Sequence, residues 1–232
     1  GYEAQYNQFP DSLEGGIFAR DRARFFVLDT MSLNGAPERP DGCRSRAQLP
    51  PRIVKTRDGR PAFDWLEMSV DSSFRETKNG SRVSIQLIGG IGPDRFVFFD
   101  TTMPRDFTKT LDAMRATLET YPYVGAKLVE DKANGDAVIN TLTKEIFGVR
   151  AVSPGSDSKQ ARAATVVPAW DAGNVYVLDG APWLEEWMAE ISVFSNGKWD
   201  DRVDSFVQCL IEHQESAAVT RLRALCGARP LA

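Results

Sequence analysis

The sequence predicts an α/β fold, a mixed sheet flanked by helices and preceded by an irregular N-terminal segment. Three observations carry this expectation. Between residues 61 and 100, three short apolar runs are joined by turn-forming residues. From residue 104 onward, helical and strand-like patterns alternate. The first sixty residues show neither period. Turn-linked strands give antiparallel neighbours and later crossovers give parallel ones, so the sheet should be mixed and covered on its faces.

The elements follow in order. Pro10, Pro37, Pro40, Pro50, Pro51 and Pro61 punctuate the first segment, where only Phe25 to Leu28 reads as a short apolar stretch. Residues 1–60 should therefore drape over the main domain or connect to something else, with the compact domain running from 61 to 215. Trp65 to Val70 reads as a strand ending at Asp71. Val83 to Ile88 and Arg95 to Phe99 read as two more, joined by the Gly89 to Asp94 turn. Pro104 opens a helical stretch carrying Phe107, Leu111, Met114 and Leu118 at spacings of three and four. A strand at Val124 to Val129, a helix at Asp136 to Phe147 and a strand at Val149 to Val152 come next. A helix around Lys159 to Ala164, a strand at Asn174 to Leu178 and a helix at Trp183 to Ile191 follow. The last strong helix spans Asp201 to Gln214, with Val203, Phe206, Val207, Leu210 and Ile211 as its apolar stripe, and 216–232 is a tail. This order matches the ribonuclease H-like architecture and suits other α/β folds as well.

Composition narrows the function. A length of 232 residues fits one domain with an appended segment. No stretch reaches the roughly 18–20 apolar residues of a membrane span, and no signal-peptide pattern opens the chain. Cys43, Cys209 and Cys226 are odd in number and lack a CxxC pair, which argues against a disulfide framework or structural zinc and for an intracellular setting. A net charge of −4 argues mildly against nucleic-acid binding by bulk charge alone. The single histidine, His213, excludes sites built on several histidines, and it reads as a surface residue rather than a triad base.

The acids are more informative. Asp71 closes one predicted strand, Glu130 and Asp131 close another, and Asp200, Asp201 and Asp204 mark the start of the last helix. Acids at strand ends sit where loops gather and ligands can reach them. If the strand ends adjoin and the helix start faces them, three or more carboxylates converge. Such a set, without histidine, suits hard divalent cations, and two ions can serve an in-line phosphoryl displacement. Each acid also has a structural use: Asp71 in a Ser/Asp turn, Glu130 and Asp131 at a solvated strand exit, Asp200 and Asp201 as helix caps. Helix geometry favours Asp204 near the apolar stripe and turns Asp201 away.

Ser69-Val70-Asp71-Ser72-Ser73, Val129-Glu130-Asp131-Lys132-Ala133-Asn134-Gly135 and Asp200-Asp201-Arg202-Val203-Asp204-Ser205 resemble the three acidic blocks of phage terminase large subunits. Ser153 to Arg162 and Gly173 to Tyr176 resemble the family's loop and late strand. Gln5 to Pro10 and Glu14 to Phe18 resemble the passage where that family leaves its ATPase half. The likeness runs in order over most of residues 1–215. It implies a ribonuclease H-like nuclease that cuts concatemeric viral DNA during genome packaging in the host cytoplasm. It carries Asp71, Glu130 and Asp201 or Asp204 into a magnesium or manganese site, with Asp131 as the alternate to Glu130. It also implies the terminase small subunit and the portal protein as partners. The phosphate-binding loop GxxxxGK[ST] is absent, so residues 1–60 are expected to lead from a missing motor and ATP hydrolysis is not expected.

For the DNA backbone, Lys159, Arg162 and Lys132 are the candidate phosphate contacts, with Arg75, Lys78 and Arg82 able to act beside Asp71. No basic-aromatic interleaving argues for base-specific readout. Two other readings stand beside the terminase one: a ribonuclease H-like resolvase or integrase, and a non-catalytic portal-docking module whose acids are structural.

Overall fold

Ten strands and five helices make up the computed structural model, which describes residues 16–31, 49–72, 81–131 and 135–227. The strands are β1 (Arg24–Leu28), β2 (Arg52–Val54), β3 (Thr56–Arg57), β4 (Arg60–Pro61), β5 (Trp65–Ser72), β6 (Ser81–Ile91), β7 (Asp94–Arg105), β8 (Lys127–Glu130), β9 (Val149–Val152) and β10 (Val175–Leu178). The helices are α1 (Phe107–Thr120), α2 (Gly135–Glu145), α3 (Lys159–Ala172), α4 (Leu184–Val193) and α5 (Asp201–Gly227). Eight strands form one sheet in the order β2-β1-β10-β7-β6-β5-β8-β9, and β3 and β4 form a separate hairpin. Only β5/β6 and β6/β7 pair antiparallel within the large sheet. The mixed sheet flanked by helices is the expected architecture.

Both faces are buried. Leu66, Met68 and Val70 on β5 and Val83, Ile85 and Leu87 on β6 point to the side holding Leu111 and Met114 of α1 and Leu142 of α2. The opposite side is packed by Trp170 of α3, Trp187 of α4 and Phe206 of α5. On that side β5 and β6 present Ser69, Asp71, Ser84 and Gln86, all buried. Their partner is a polar stripe on α5. Ser69 Oγ donates to the Ser205 carbonyl at 2.7 Å, and the Ser84 and Ser205 hydroxyls lie 2.7 Å apart. Gln86 Nε2 donates to the Arg202 carbonyl at 2.8 Å and to Ser205 Oγ at 2.8 Å. Gln208 Nε2 donates to Ser69 Oγ at 3.0 Å and to the Leu128 carbonyl at 3.3 Å. Trp187 Nε1 closes the seam by donating to Gln86 Oε1 at 3.3 Å.

Several elements differ from expectation for local reasons. β7 runs through Pro104, and α1 starts at Phe107 behind Asp106, whose side chain accepts the Lys109 N–H at 2.8 Å. There β7 pairs only with β6, so a residue without an N–H is tolerated. α3 continues past Ala164 and through Pro168, because Ala163, Val166 and Trp170 form a buried stripe along it. α2 stops at Glu145 rather than Phe147, which is fully solvated. α5 continues past Gln214 to Gly227, through a run rich in the helix formers Ala, Leu and Arg. The first sixty residues were expected to contribute little structure. Among the described ones, β1 and β2 join the large sheet, and Phe18 and Phe26 are fully buried.

Replacing Gln86 with Leu would leave buried Trp187 Nε1 without its acceptor and remove one bond each from Ser205 Oγ and the Arg202 carbonyl, which keep other partners. The variant should lose about 2 kcal/mol or more of unfolding free energy, read from the urea midpoint.

Candidate active site

The polar seam sets the register that brings the acids together. Asp71 lies opposite Ser84 on β6, so its side chain points to the α5 face. β5 and β8 are parallel with Val70 beside Val129, and one residue further sets Asp71 beside Glu130 on that face. Gln208 of α5 reaches the Leu128 carbonyl. One turn back along the helix and two residues on along the strand are both steps of roughly 6–7 Å, so Asp204 stands level with Glu130. Asp71, Glu130 and Asp204 are all buried.

Cations from α3 hold this end of the sheet. Ser158 caps α3, its Oγ accepting the Ala161 N–H at 3.1 Å, and the first turn carries Lys159 and Arg162. Arg162 reaches Glu130 Oε1 at 3.6 Å and Asp204 Oδ1 at 3.8 Å. These are ion-pair distances, beyond hydrogen-bonding range. Lys159 Nζ lies 2.6 Å from Asp200 Oδ2 and 2.5 Å from Asp204 Oδ2. Burial pushes the Lys159 ammonium pKa down, and the hydrogen bonds to Asp200 and Asp204 more than reverse this, leaving it above its ordinary value.

Asp201 faces elsewhere. Arg82 Nη1 donates to Asp201 Oδ2 at 3.0 Å, and its Nη2 donates to Glu190 Oε2 at 2.7 Å. Burial raises the Asp201 pKa despite Arg82, and Glu190 adds to the rise. Asp131 continues the ladder, its N–H donating to the Val152 carbonyl at 2.8 Å, and strand alternation turns it from the Glu130 face. Lys132, Arg75 and Lys78 lie outside the described residues. Lys159 and Arg162, the expected phosphate contacts, lie against the acids in this structure.

One acid reads in sequence only as a helix cap, and one buried network escapes the sequence reading. Asp200 shares Lys159 with Asp204, and the i, i+4 spacing across a helix start was the available signal. Arg202 is buried and pairs with Asp100 at 3.0 Å, Glu186 at 3.0 Å and Glu190 at 3.3 Å. Its backbone N–H also donates to Glu190 Oε1 at 2.7 Å, so Glu190 caps α5. No local signal joins these acids, which come from β7 and α4. His213, expected at the surface, stacks on Trp65 with ring centroids 3.7 Å apart. Burial and nearby Arg95 lower its pKa to about 4.

Among the described residues, no group of three or more His, Cys, Asp or Glu side chains is arranged to hold a metal ion as it stands. The donor chemistry nevertheless suits magnesium or manganese, since Asp71, Glu130 and Asp204 offer only hard carboxylate oxygens. Buried like charges require a positive partner, and here Arg162 and Lys159 provide it.

Residues 101–213 match the model of the Terminase RNaseH-like domain family, just under half of the chain. The fold is ribonuclease H-like and is shared, at low sequence identity, with solved terminase nucleases. The large terminase nuclease of thermophilic phage G20c with bound magnesium is 13% identical, with 85% of this chain and 97% of that one covered and a TM-score of 0.53. Its zinc-bound form is 13% identical, covers 83% and 95%, and has a TM-score of 0.52. The large terminase of another thermophilic bacteriophage is 10% identical with a TM-score of 0.48, and the match covers 63% of this chain and 39% of that protein's length. No curated protein matches the sequence.

Three outcomes follow from this geometry. Arg162→Leu leaves Glu130 and Asp204 buried with one cation fewer and should cost about 3 kcal/mol of stability. Added magnesium or manganese should raise the melting temperature of that variant more than that of the parent chain. For His213, the folded pKa lies below the usual 6.5, so the unfolded chain binds the extra proton between pH 6.5 and about 4. Its contribution is intact above pH 6.5 and is lost on acidification through that window. His213→Phe keeps the stack, and its urea midpoint should fall less over the same window.

Proposed function

We propose that this domain cuts double-stranded DNA with the help of divalent cations, as the nuclease of a viral genome-packaging terminase. The observation that carries the reading is the meeting of buried Asp71, Glu130 and Asp204 at one end of one sheet face. The family match of residues 101–213 supports it, as does the shared fold with a phage nuclease whose structure holds magnesium. Asp71, Glu130 and Asp204 would hold magnesium or manganese, with Asp201 and Asp131 as alternates. Bound there, a pair of such ions would supply charge stabilisation and an activated water for phosphodiester hydrolysis.

The chain's own groups do the rest. The α5 seam keeps Asp204 level with Glu130. Lys159 and Arg162 balance the carboxylates and, once displaced from them, can turn to backbone phosphates, joined by Lys132. The one histidine of the sequence, His213, stacks on Trp65, so no histidine base is assigned to this face. Concatemeric DNA as substrate, the small subunit and portal as partners, and the host cytoplasm as location belong to the same proposal.

The test is cleavage of supercoiled plasmid in manganese, magnesium or chelator. Asp71→Ala and Asp204→Ala should each lose more than the roughly 10–100-fold that changes around a metal site cause, whereas Asp201→Asn should stay within it. Cutting that persists in chelator, or that Asp71→Ala leaves intact, would sink the reading. The hold of Arg162 and Lys159 on the acids favours one alternative, a docking module with structural acids. An inert protein whose melting temperature ignores both metals would select it.

A further inference from the structure

Folding builds a basic-aromatic cluster that the linear sequence does not display. A shallow depression of about 350 Å³ opens between α4 and the start of α5, walled by Arg82, Lys198 and Trp199, by Ala189 and Val193, and by the Arg202-paired Glu186 and Glu190. Trp199 is 48% exposed, whereas Trp170 and Trp187 are buried in the core. Its place is fixed from both sides. A Cβ on Gly197 would lie 2.7 Å from Val193 Cγ2, so only glycine lets the loop lie this close to α4. The Asn196 N–H donates to the Val193 carbonyl at 2.8 Å. Arg82, anchored by Asp201 and Glu190, sits 5.1 Å from the Trp199 ring centroid, and Lys198 Nζ sits 4.8 Å from it.

We propose that Trp199 and Lys198 form a stacking site for an unpaired nucleotide of single-stranded DNA, immediately beside the acid face. The proposal rests on the DNA-cutting reading and adds a second contact to it. A nucleobase that displaces the Lys198 ammonium from over the indole would find a stacking surface beside the apolar Ala189 and Val193, suited to any sequence. Arg82 spends its charge on two carboxylates, whereas Lys198 makes no ion pair among the described residues and can meet a phosphate. Position supports the assignment. Trp199 adjoins Asp200 in sequence, and Asp200 shares Lys159 with Asp204, so the indole and the acid face belong to the same helix start. A strand separated at the cut would be held there without base-specific contacts.

The test is fluorescence anisotropy of the full chain in chelator at fixed salt. The probes are a labelled thymidine oligonucleotide and a duplex of equal length. Trp199→Ala should weaken single-strand binding about tenfold. Trp199→Phe should restore most of it, and duplex binding should change less than about twofold. Lys198→Gln should flatten the salt dependence of single-strand binding by about one phosphate contact. Unchanged single-strand binding in Trp199→Ala overturns the proposal and leaves the exposed indole to a protein partner. Equal weakening of single strand and duplex overturns it too, since general charge would then be responsible. A parent chain that binds duplex but not the oligonucleotide removes the stacking site alone. A parent chain that binds neither also removes the stacking site and leaves the DNA-cutting reading to the plasmid assay.

Discussion

The hydrogen-bonded seam beneath α5 is the constraint on which the rest of the structure depends. An apolar helix face can slide on an apolar sheet at little cost, because dispersion and burial are not directional. Ser69, Ser84, Gln86, Ser205 and Gln208 remove that freedom. Each is buried, and a shift of one helical turn would leave donors and acceptors stranded at roughly 1–3 kcal/mol apiece. The seam therefore selects one register, and in that register Asp204 stands level with Glu130. A core of leucines would hold the helix as firmly without deciding where along the sheet its acids lie.

The same side of the sheet carries an unusual load of buried charge. Asp100 and Glu190 share Arg202, while Glu130 and Asp204 share Arg162. The two arrangements differ in kind. Arg202 makes hydrogen bonds of 3.0 and 3.3 Å to its buried acids, and Asp100 lifts its pKa although burial pulls the other way. Arg162 stands 3.6–3.8 Å from its acids. A buried pair with close hydrogen bonds is costly to open, whereas a looser one can exchange its cation for another. The Arg202 network thus anchors the start of α5, and Arg162, rather than Lys159 with its 2.5 Å contact to Asp204, is the cation most readily traded.

Much of this architecture was legible from period and punctuation. β5, β6, β8, β9, β10 and α4 lie close to where the apolar runs put them, since their cores are continuous in sequence. β1 and β2 were harder, because strands of five and three residues among prolines carry too few alternations to read. The polar positions of β5 and β6 are ambiguous in sequence. Ser69, Asp71, Ser84 and Gln86 alternate with apolar residues as a half-solvated strand would, yet they are buried against another polar stripe. Strand parity does set Asp71 with Ser69 and Glu130 with Leu128, so the shared face of the acids was within reach. The Arg82, Glu190 and Arg202 network was not, because its members come from β6, α4 and α5 and nothing local links them.

The first turn of α5 shows why one helix start can serve two surfaces. Successive residues are about 100° apart, so Asp200 and Asp204 lie about 40° apart and both reach Lys159. Asp201 is displaced from both, on the side of Arg82 and Trp199. Glu190, Asp201 and Arg82 bind this second side to α4, while Lys159 and Arg162 bind the first to α3. A displacement of the helix start would therefore disturb the carboxylate face and the exposed indole together. Capping by Glu190 and the Arg202 network resist that displacement, so their effect on the acids is mechanical: they position Asp204 without touching it.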